Sequence, residues 1–349
     1  MSPRGIFLTP RLSSPPHQTR TSQSFQEVRG SPGGAPTKLE RLSRPVLSKS
    51  RRSHAILSHM TIPFEGYTLL DSGEGRKLEQ YGTRIIDRPS SLSTWRRRQK
   101  PSIWENADAS YMPPDRWRVE GRPFKTWEAT IAGIRLELEL MSNGQLGIFP
   151  EHALYLPKVK AIAERLSDKG SRPLKVLNLF AYTGLATCYC ASLPNVTVTH
   201  VDLAKRAIEW ARNNASRNDI AEDKIRWIVD DALGFMGREH RKGNLYDIII
   251  IDPPSFSRVS KNNSWTLEEK APDIVALMLN VLNPKAGAVF FTNHSTASTS
   301  DVVRNISLDM YDDKGVEISI ESLSLPEKST PRLLPAGSLI TLFHSTDSK

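Results

Sequence analysis

Lys175-Val-Leu-Asn-Leu-Phe-Ala-Tyr-Thr-Gly184 decides how this chain folds. Lys175–Phe180 reads as a strand, and Ala181-Tyr-Thr-Gly184 turns from it into a helix over Leu185–Ser192. Glycine at 184 lets the backbone pass close to a ligand, since no side chain obstructs it. The alternation continues downstream. Val196–Val201 is a strand ending at Asp202, Ala204–Asn213 a helix, and Ile225–Val229 a strand ending at Asp230-Asp231. Tyr246–Ile251 is a buried strand ending at Asp252, and a helix-like stretch from Leu154 to Leu166 precedes the whole unit. Fully apolar central strands alternating with helices imply a parallel sheet covered on both faces. Ligands collect at the carboxyl ends of such strands. Val316–Leu325 and Ser338–Phe343 fit final antiparallel strands.

Upstream, Phe64 to Pro150 holds short strand-like runs, of which Ile134-Arg-Leu-Glu-Leu-Glu-Leu140 alternates as a half-buried strand should before the turn Ser142-Asn-Gly144. Trp95, Trp104, Trp117 and Trp127 read as the core of a small domain, with base stacking as the alternative. Arg96-Arg97-Arg98 with Lys100 forms a basic patch, either a solvated loop or a contact for a polyanion. Residues 1–60 are rich in Ser, Pro and Arg, and Arg4, Arg11 and Arg20 precede the first acid, Glu27. That pattern resembles a mitochondrial transit leader, with an untargeted basic tail and a cytoplasmic protein as the alternative. Ten Lys and Arg against two Glu in those residues supply +8 of the chain's +9, so the remainder is nearly neutral. Net charge alone therefore does not make the folded part a nucleic-acid binder. The chain divides into a basic leader (1–60), a small β-rich accessory region (61–152) and an α/β domain (153–349).

With 349 residues, 38% of them hydrophobic, the chain can fill a sizeable core, which excludes a peptide, a disulfide scaffold and a wholly disordered chain. Cys188 and Cys190 are the only cysteines and lie in one segment, so they supply neither a disulfide framework nor a structural zinc site. No apolar run approaches the roughly 20 residues of a spanning helix, so membrane insertion is not expected.

Polar residues stand where strands end. Phe180-Ala-Tyr-Thr-Gly184 is not GxGxxG and lacks a P-loop lysine, which argues against a dinucleotide or nucleoside triphosphate. Asp202 is placed to accept hydrogen bonds from a ribose diol, or to cap the helix that begins near Ala204. Asp230-Asp231-Ala232 would border an adenine ring. In Asp252-Pro-Pro-Ser-Phe256, Pro253 and Pro254 stiffen the loop and Phe256 offers a stacking surface.

Together, Asn178-Leu-Phe-Ala-Tyr-Thr-Gly184, Val201-Asp-Leu203 followed by Ala207-Ile-Glu-Trp-Ala-Arg-Asn213, and Asp252-Pro-Pro-Ser-Phe256 closely resemble class I S-adenosylmethionine-dependent methyltransferases related to the bacterial large-subunit ribosomal RNA cytosine-5 methyltransferases. Leu70-Asp-Ser-Gly-Glu-Gly-Arg-Lys-Leu-Glu-Gln-Tyr-Gly82 and Gly147-Ile-Phe-Pro-Glu151 look like the β-rich region of that group. The resemblance covers about residues 64–300 and implies a Rossmann-like seven-stranded class I methyltransferase sheet preceded by a small β-rich region. It implies S-adenosylmethionine as cofactor, held by Phe180, Tyr182, Thr183, Gly184, Asp202, Asp231 and Asp252. Asp252, Pro253, Pro254, Phe256 and His294 would face the acceptor, a structured RNA, with ribosomal RNA first among them.

The sequence departs from that group at two points. Its first 60 residues do not read as the group's amino-terminal PUA domain. The segment matching the group's cysteine loop, Phe290-Phe-Thr-Asn-His-Ser295, contains no cysteine, and Cys188 and Cys190 fall within a helix facing the sheet. Cytosine C5 needs a thiolate at C6 before it becomes nucleophilic, so transfer to nitrogen or oxygen is expected instead. In that chemistry His294 either accepts a proton or serves structurally. Methylation of a protein or small molecule, and a noncatalytic RNA-binding or ribosome-assembly role, are the competing readings.

Overall fold

The structure is a computed structural model that describes residues 65–167, 172–260, 263–295, 297–311 and 316–345. The basic leader at 1–60 lies outside the described residues. Strands β1 (Tyr67–Gly73), β2 (Arg76–Tyr81), β3 (Arg84–Pro89), β4 (Ala109–Met112) and β5 (Arg116–Val119) form one sheet in that order, with helix α1 (Pro101–Glu105) inserted before β4. A separate hairpin pairs β6 (Thr126–Ile131) with β7 (Ile134–Glu139). In β7 the alternating residues Ile134, Leu136 and Leu138 are buried, as their period predicts.

All four tryptophans anticipated in this region are anchored inward. The indole N–H of Trp95 donates to Ser72 O, that of Trp104 to Asp71, that of Trp117 to Met141 O and that of Trp127 to Tyr81 O. An indole whose N–H is committed in this way is anchored to the β-rich region, with Trp104 buried and Trp95, Trp117 and Trp127 half-buried against it.

After α2 (Leu156–Ser167) comes the larger sheet, with β8 (Leu174–Leu179), α3 (Leu185–Ser192), β9 (Val196–Asp202), α4 (Lys205–Arg217), β10 (Ile225–Val229), α5 (Ala232–Arg241) and β11 (Ile248–Ile251). The chain then forms a hairpin of β12 (Phe256–Ser260) and β13 (Asn263–Thr266). It ends with α6 (Leu267–Val281), β14 (Ala286–Asn293), α7 (Ala297–Tyr311), β15 (Val316–Pro326) and β16 (Leu333–Ser345). Seven strands run in the order β10-β9-β8-β11-β14-β16-β15, parallel through β14 and antiparallel at β16 and β15. β11 consists of four buried isoleucines between β8 and β14, which explains its continuous apolarity: helices cover both of its faces.

One expectation is corrected. Tyr246 makes only an isolated bridge to Leu282, so the fourth strand begins at Ile248. In the β12–β13 hairpin Ser257 pairs with Trp265 and Arg258 with Ser264.

The β-rich region and the large sheet share one apolar core, running from Tyr67 and Ile86 through Leu138, Ile148 and Tyr155 to Val176, Ile250 and Phe290. The division drawn at residue 152 is therefore one of topology, crossed by continuous packing. Strand order reverses between β8 and β11, whose ends Leu179 and Ile251 are register partners. The crevice beyond them is the switch point where open α/β sheets bind ligands.

Candidate active site

Two aromatic residues of the first loop, Phe180 (φ 53°) and Tyr182 (φ 49°), occupy the left-handed region, where bulky side chains are strained. Asp202 holds them there. Its Oδ2 accepts the Tyr182 amide at 2.8 Å and its Oδ1 accepts the Ala204 amide at 2.8 Å, so one carboxylate ties the loop after β8 to the turn entering α4. Thr183 Oγ1 donates to Gly147 O, and Asn214 Nδ2 donates to Thr183 O at 3.0 Å. Gly184 follows with φ 90°, and a Cβ there would lie 2.8 Å from the Ala211 Cβ, so both conformation and space require glycine.

This loop forms one wall of a recess completed by Ile148, Phe149, His152, Tyr155, Asn178 and Asp252. Phe180, Tyr182, Thr183, Gly184 and Asp252 are thus brought together as the sequence suggests. Asp202 and Asp231 do not line the recess. Asp202 braces the loop through the Tyr182 amide. Asp231 is exposed and caps α5, accepting the Gly234 amide at 2.8 Å, so its carboxylate is already engaged by a helix terminus.

On the opposite strand end, Asp252 sits between two imidazoles. His152 Nε2 lies 2.9 Å from Oδ2, His294 Nε2 lies 3.1 Å from Oδ1, and Thr292 Oγ1 donates to Oδ1. Burial pushes this carboxyl up, but the charge and hydrogen bond of His152, with those of His294, outweigh it and hold the group well below the usual carboxylate range. Burial likewise lowers His294. Its hydrogen bond and attraction to Asp252, together with Glu151 and the Ala336 carbonyl, win and raise it from 6.5 to about 9. That shift favours the protonated ring at neutral pH and the hydrogen-bonding role over proton acceptance.

His152 is the residue that the sequence reading passed over. A carboxylate can only accept, so the Nε2 facing Asp252 carries hydrogen and Nδ1 is left to face another partner. The available signal was Pro150, at the first position of the short 3-10 turn Pro150–Leu154, which sets His152 against the switch point. Pro253 is buried, while Pro254 and Phe256 are exposed, Phe256 by 54% at the start of β12. Ligand atoms of His152, Asp252 and His294 lie within 4.8 Å of one another, a spacing that also suits a divalent cation. A cation would have to displace both imidazole contacts to the carboxylate. Cys188 and Cys190 are fully buried in α3, and burial pushes both thiols up to about 12. Neither is a ready thiolate.

Residues 109–304 match the family described as S-adenosylmethionine-dependent methyltransferase. The chain belongs to that family. Its cofactor is accordingly S-adenosylmethionine, and the switch-point recess, with a strained loop and an uncapped helix start, fits a polar ligand of this kind. The methyltransferase is 31% identical to the S-adenosylmethionine-dependent methyltransferase of Agrobacterium tumefaciens, whose crystal structure superposes with a TM-score of 0.71 over 80% of this chain and 91% of that one. A putative methyltransferase from Streptococcus mutans shares the fold at 17% identity, with a TM-score of 0.59 over 80% of this chain and 76% of that one. Among curated proteins, the ribosomal RNA large subunit methyltransferase K/L of Shewanella sp. strain ANA-3 is 29% identical over 163 residues, 46% of this chain and 22% of that protein. The like-named Pseudoalteromonas translucida protein is 30% identical over 193 residues, 55% of this chain and 25% of that protein. The matched part of this methyltransferase thus spans about a quarter or less of the length of these curated relatives. Among the described residues no helix is long and apolar enough to cross a membrane.

Proposed function

We propose that this chain transfers the methyl group of S-adenosylmethionine to a nitrogen or oxygen of structured RNA, with ribosomal RNA the leading substrate. When bound, the cofactor supplies an electrophilic sulfonium methyl. The observation that carries the reading is the His152–Asp252–His294 arrangement, in which His152 and Asp252 line the donor recess and His294 contacts Asp252. Asp252 orients His152 so that Nδ1 can take the proton an N–H or O–H acceptor loses on methylation. His294, protonated, balances the buried carboxylate and keeps it from taking that proton itself. Phe256 offers a face on which an extruded base can stack. A covalent cytosine-5 mechanism is disfavoured by the two buried, weakly acidic thiols and the Asn293-His294 pair in the segment expected to hold the nucleophile.

The RNA assignment draws on the names of the curated relatives and on one surface. Asp71, fully buried, accepts the amides of Arg98 (3.1 Å) and Gln99 (2.9 Å) and the Trp104 indole (3.0 Å). Arg97 stacks on Trp104 at 3.9 Å. The segment is thereby fixed with Arg96, Arg98 and Lys100 all exposed. Trp95 and Arg332 both donate to Ser72 O, which ties this segment to the β15–β16 turn, at the end of the sheet where His294 lies. An ordered row of cations beside the acceptor side suits a phosphate backbone. Replacing Arg96, Arg98 and Lys100 together with Ala should weaken RNA binding and lower the slope of log affinity against log salt by about 2, on the single-strand value of roughly 0.7 per phosphate contact. Cofactor affinity should stay unchanged, and an unaltered salt slope would remove this surface from the account. For residues 1–60 we propose mitochondrial targeting, read out by the destination of a fluorescent fusion to those residues.

A further inference from the structure

The segment Gly147-Ile-Phe-Pro-Glu151, between β7 and α2, borders two neighbouring recesses. Ile148 and Phe149 line both. His152 belongs to the donor recess, whereas Glu151 lines a second recess of about 390 Å³ on the side of the β-rich region, together with Lys77, Arg88 and Gln145. That is the size of a small-ligand site, and methyl transfer as described above makes no use of it.

Glu151 sets the chemistry of this second recess. The residue is only 8% exposed, yet among the described residues nothing hydrogen-bonds its carboxylate or pairs with it within 4 Å. Neither oxygen is among the unpartnered side-chain atoms sealed from solvent, so both can be reached from the recess. A carboxylate so poorly hydrated gains from N–H donors that enter beside it. Two cations share the lining. Arg88 is fixed on Glu79 at 2.6 Å and on Gly144 O at 3.3 Å, and Lys77 Nζ lies 3.1 Å from Glu79 Oε1. Lys77 makes no ion pair with Glu151, although the charge of Glu151 acts on its ammonium, and two of its three hydrogens are left to donate.

A cationic side chain entering here would meet Lys77 and Arg88, and an anion would meet Glu151. A neutral planar ligand with N–H donors beside a carbonyl fits both, with Ile148, Phe149 and Pro113 as apolar flanks. Among RNA bases, adenine and cytosine carry a ring-nitrogen lone pair next to their amine, and uracil flanks its single N–H with two carbonyls. Each would set a lone pair against one carboxylate oxygen. Guanine alone offers adjacent N1–H and N2–H groups that the two oxygens can accept together, with O6 next to them for an ammonium.

We propose that this second recess reads a guanine of the RNA substrate, Glu151 accepting its N1–H and N2–H and Lys77 donating to its O6. Ile148 and Phe149 stand between the recess and the donor site, so the guanine is a neighbour of the nucleotide that receives the methyl group. Glu151 and Lys77 thereby determine sequence specificity. The inference rests on RNA as the substrate and deepens that reading.

The test is fluorescence anisotropy of the full chain and its Glu151→Gln variant with labelled single-stranded pentaribonucleotides of uridine that carry guanosine, inosine or adenosine at the centre. Inosine keeps N1–H and O6 and lacks only the N2 amine. The parent should bind the guanosine oligomer about tenfold more tightly than the inosine one, as expected for one hydrogen bond to a charged acceptor. In Glu151→Gln, whose amide offers a single acceptor, the two affinities should fall within about twofold of each other. The adenosine oligomer should bind variant and parent alike. Each guanosine-to-inosine ratio is taken within one protein, so a partly folded variant still answers the question. A parent that binds all three oligomers equally, or a guanosine preference that survives Glu151→Gln, overturns the proposal and leaves RNA as the substrate. A parent that binds none of them overturns the RNA reading as well.

Discussion

Asp252→Asn keeps the shape of the site and removes its negative charge. Both imidazoles lose their anionic partner, at 2.9 Å and 3.1 Å, while burial continues to penalise a charged ring. His294, held at about 9 chiefly by Asp252 against an ordinary 6.5, should fall toward 6.5 in the variant, where Glu151 and the Ala336 carbonyl still oppose desolvation. His152 should lose the contact that keeps hydrogen on Nε2, and methyl transfer should drop by roughly 10² to 10⁴, the range that positioned acid–base groups contribute. Heteronuclear NMR of labelled histidine follows the titrations, and radiolabelled transfer follows the rate. The same shift has a stability signature. Folded parent keeps a proton on His294 that the unfolded chain has released, so the stabilisation is complete below pH 6.5 and is lost as pH rises through about 9. Tm of the parent should therefore decline across that window, and the component due to His294 should vanish in Asp252→Asn. A His294 that still titrates near 9 in the variant, or a variant that transfers methyl at the parental rate, would refute the coupling.

Gly184→Ala should destabilise the chain by about 2 kcal/mol in urea unfolding, since it forces a side chain into a φ of 90° and against Ala211; a neutral result would show that the loop relaxes freely. Cys188→Ala with Cys190→Ala should leave the transfer rate within about twofold after correction for folded fraction, because alanine removes a thiol that burial keeps protonated. Loss of all transfer in that folded variant would restore a thiolate mechanism.

Local pattern made the larger sheet legible, because apolar strands separated by short helices admit few arrangements, and β8, α3, β9 and β10 fall within a residue or two of where periodicity puts them. The Phe180–Gly184 loop and Asp252 were legible for the same reason: each ends a recognisable strand. His152 was not, since its partner lies 100 residues away and only the pairing of β8 with β11 brings the two strand ends together. At the other strand ends, Asp202 accepts the Tyr182 and Ala204 amides and Asp231 the Gly234 amide, contacts that strand-end position alone does not distinguish from ligand contacts.

The central claim, transfer of a methyl group to a nitrogen or oxygen of RNA, is tested most directly by incubating the protein with radiolabelled S-adenosylmethionine and size-fractionated RNA and protein from cells lacking the gene, then digesting labelled RNA to nucleosides. Label in ribosomal RNA, recovered as an N- or O-methylated nucleoside, is the predicted result. Label recovered as 5-methylcytosine, or confined to protein or small molecules, would contradict it.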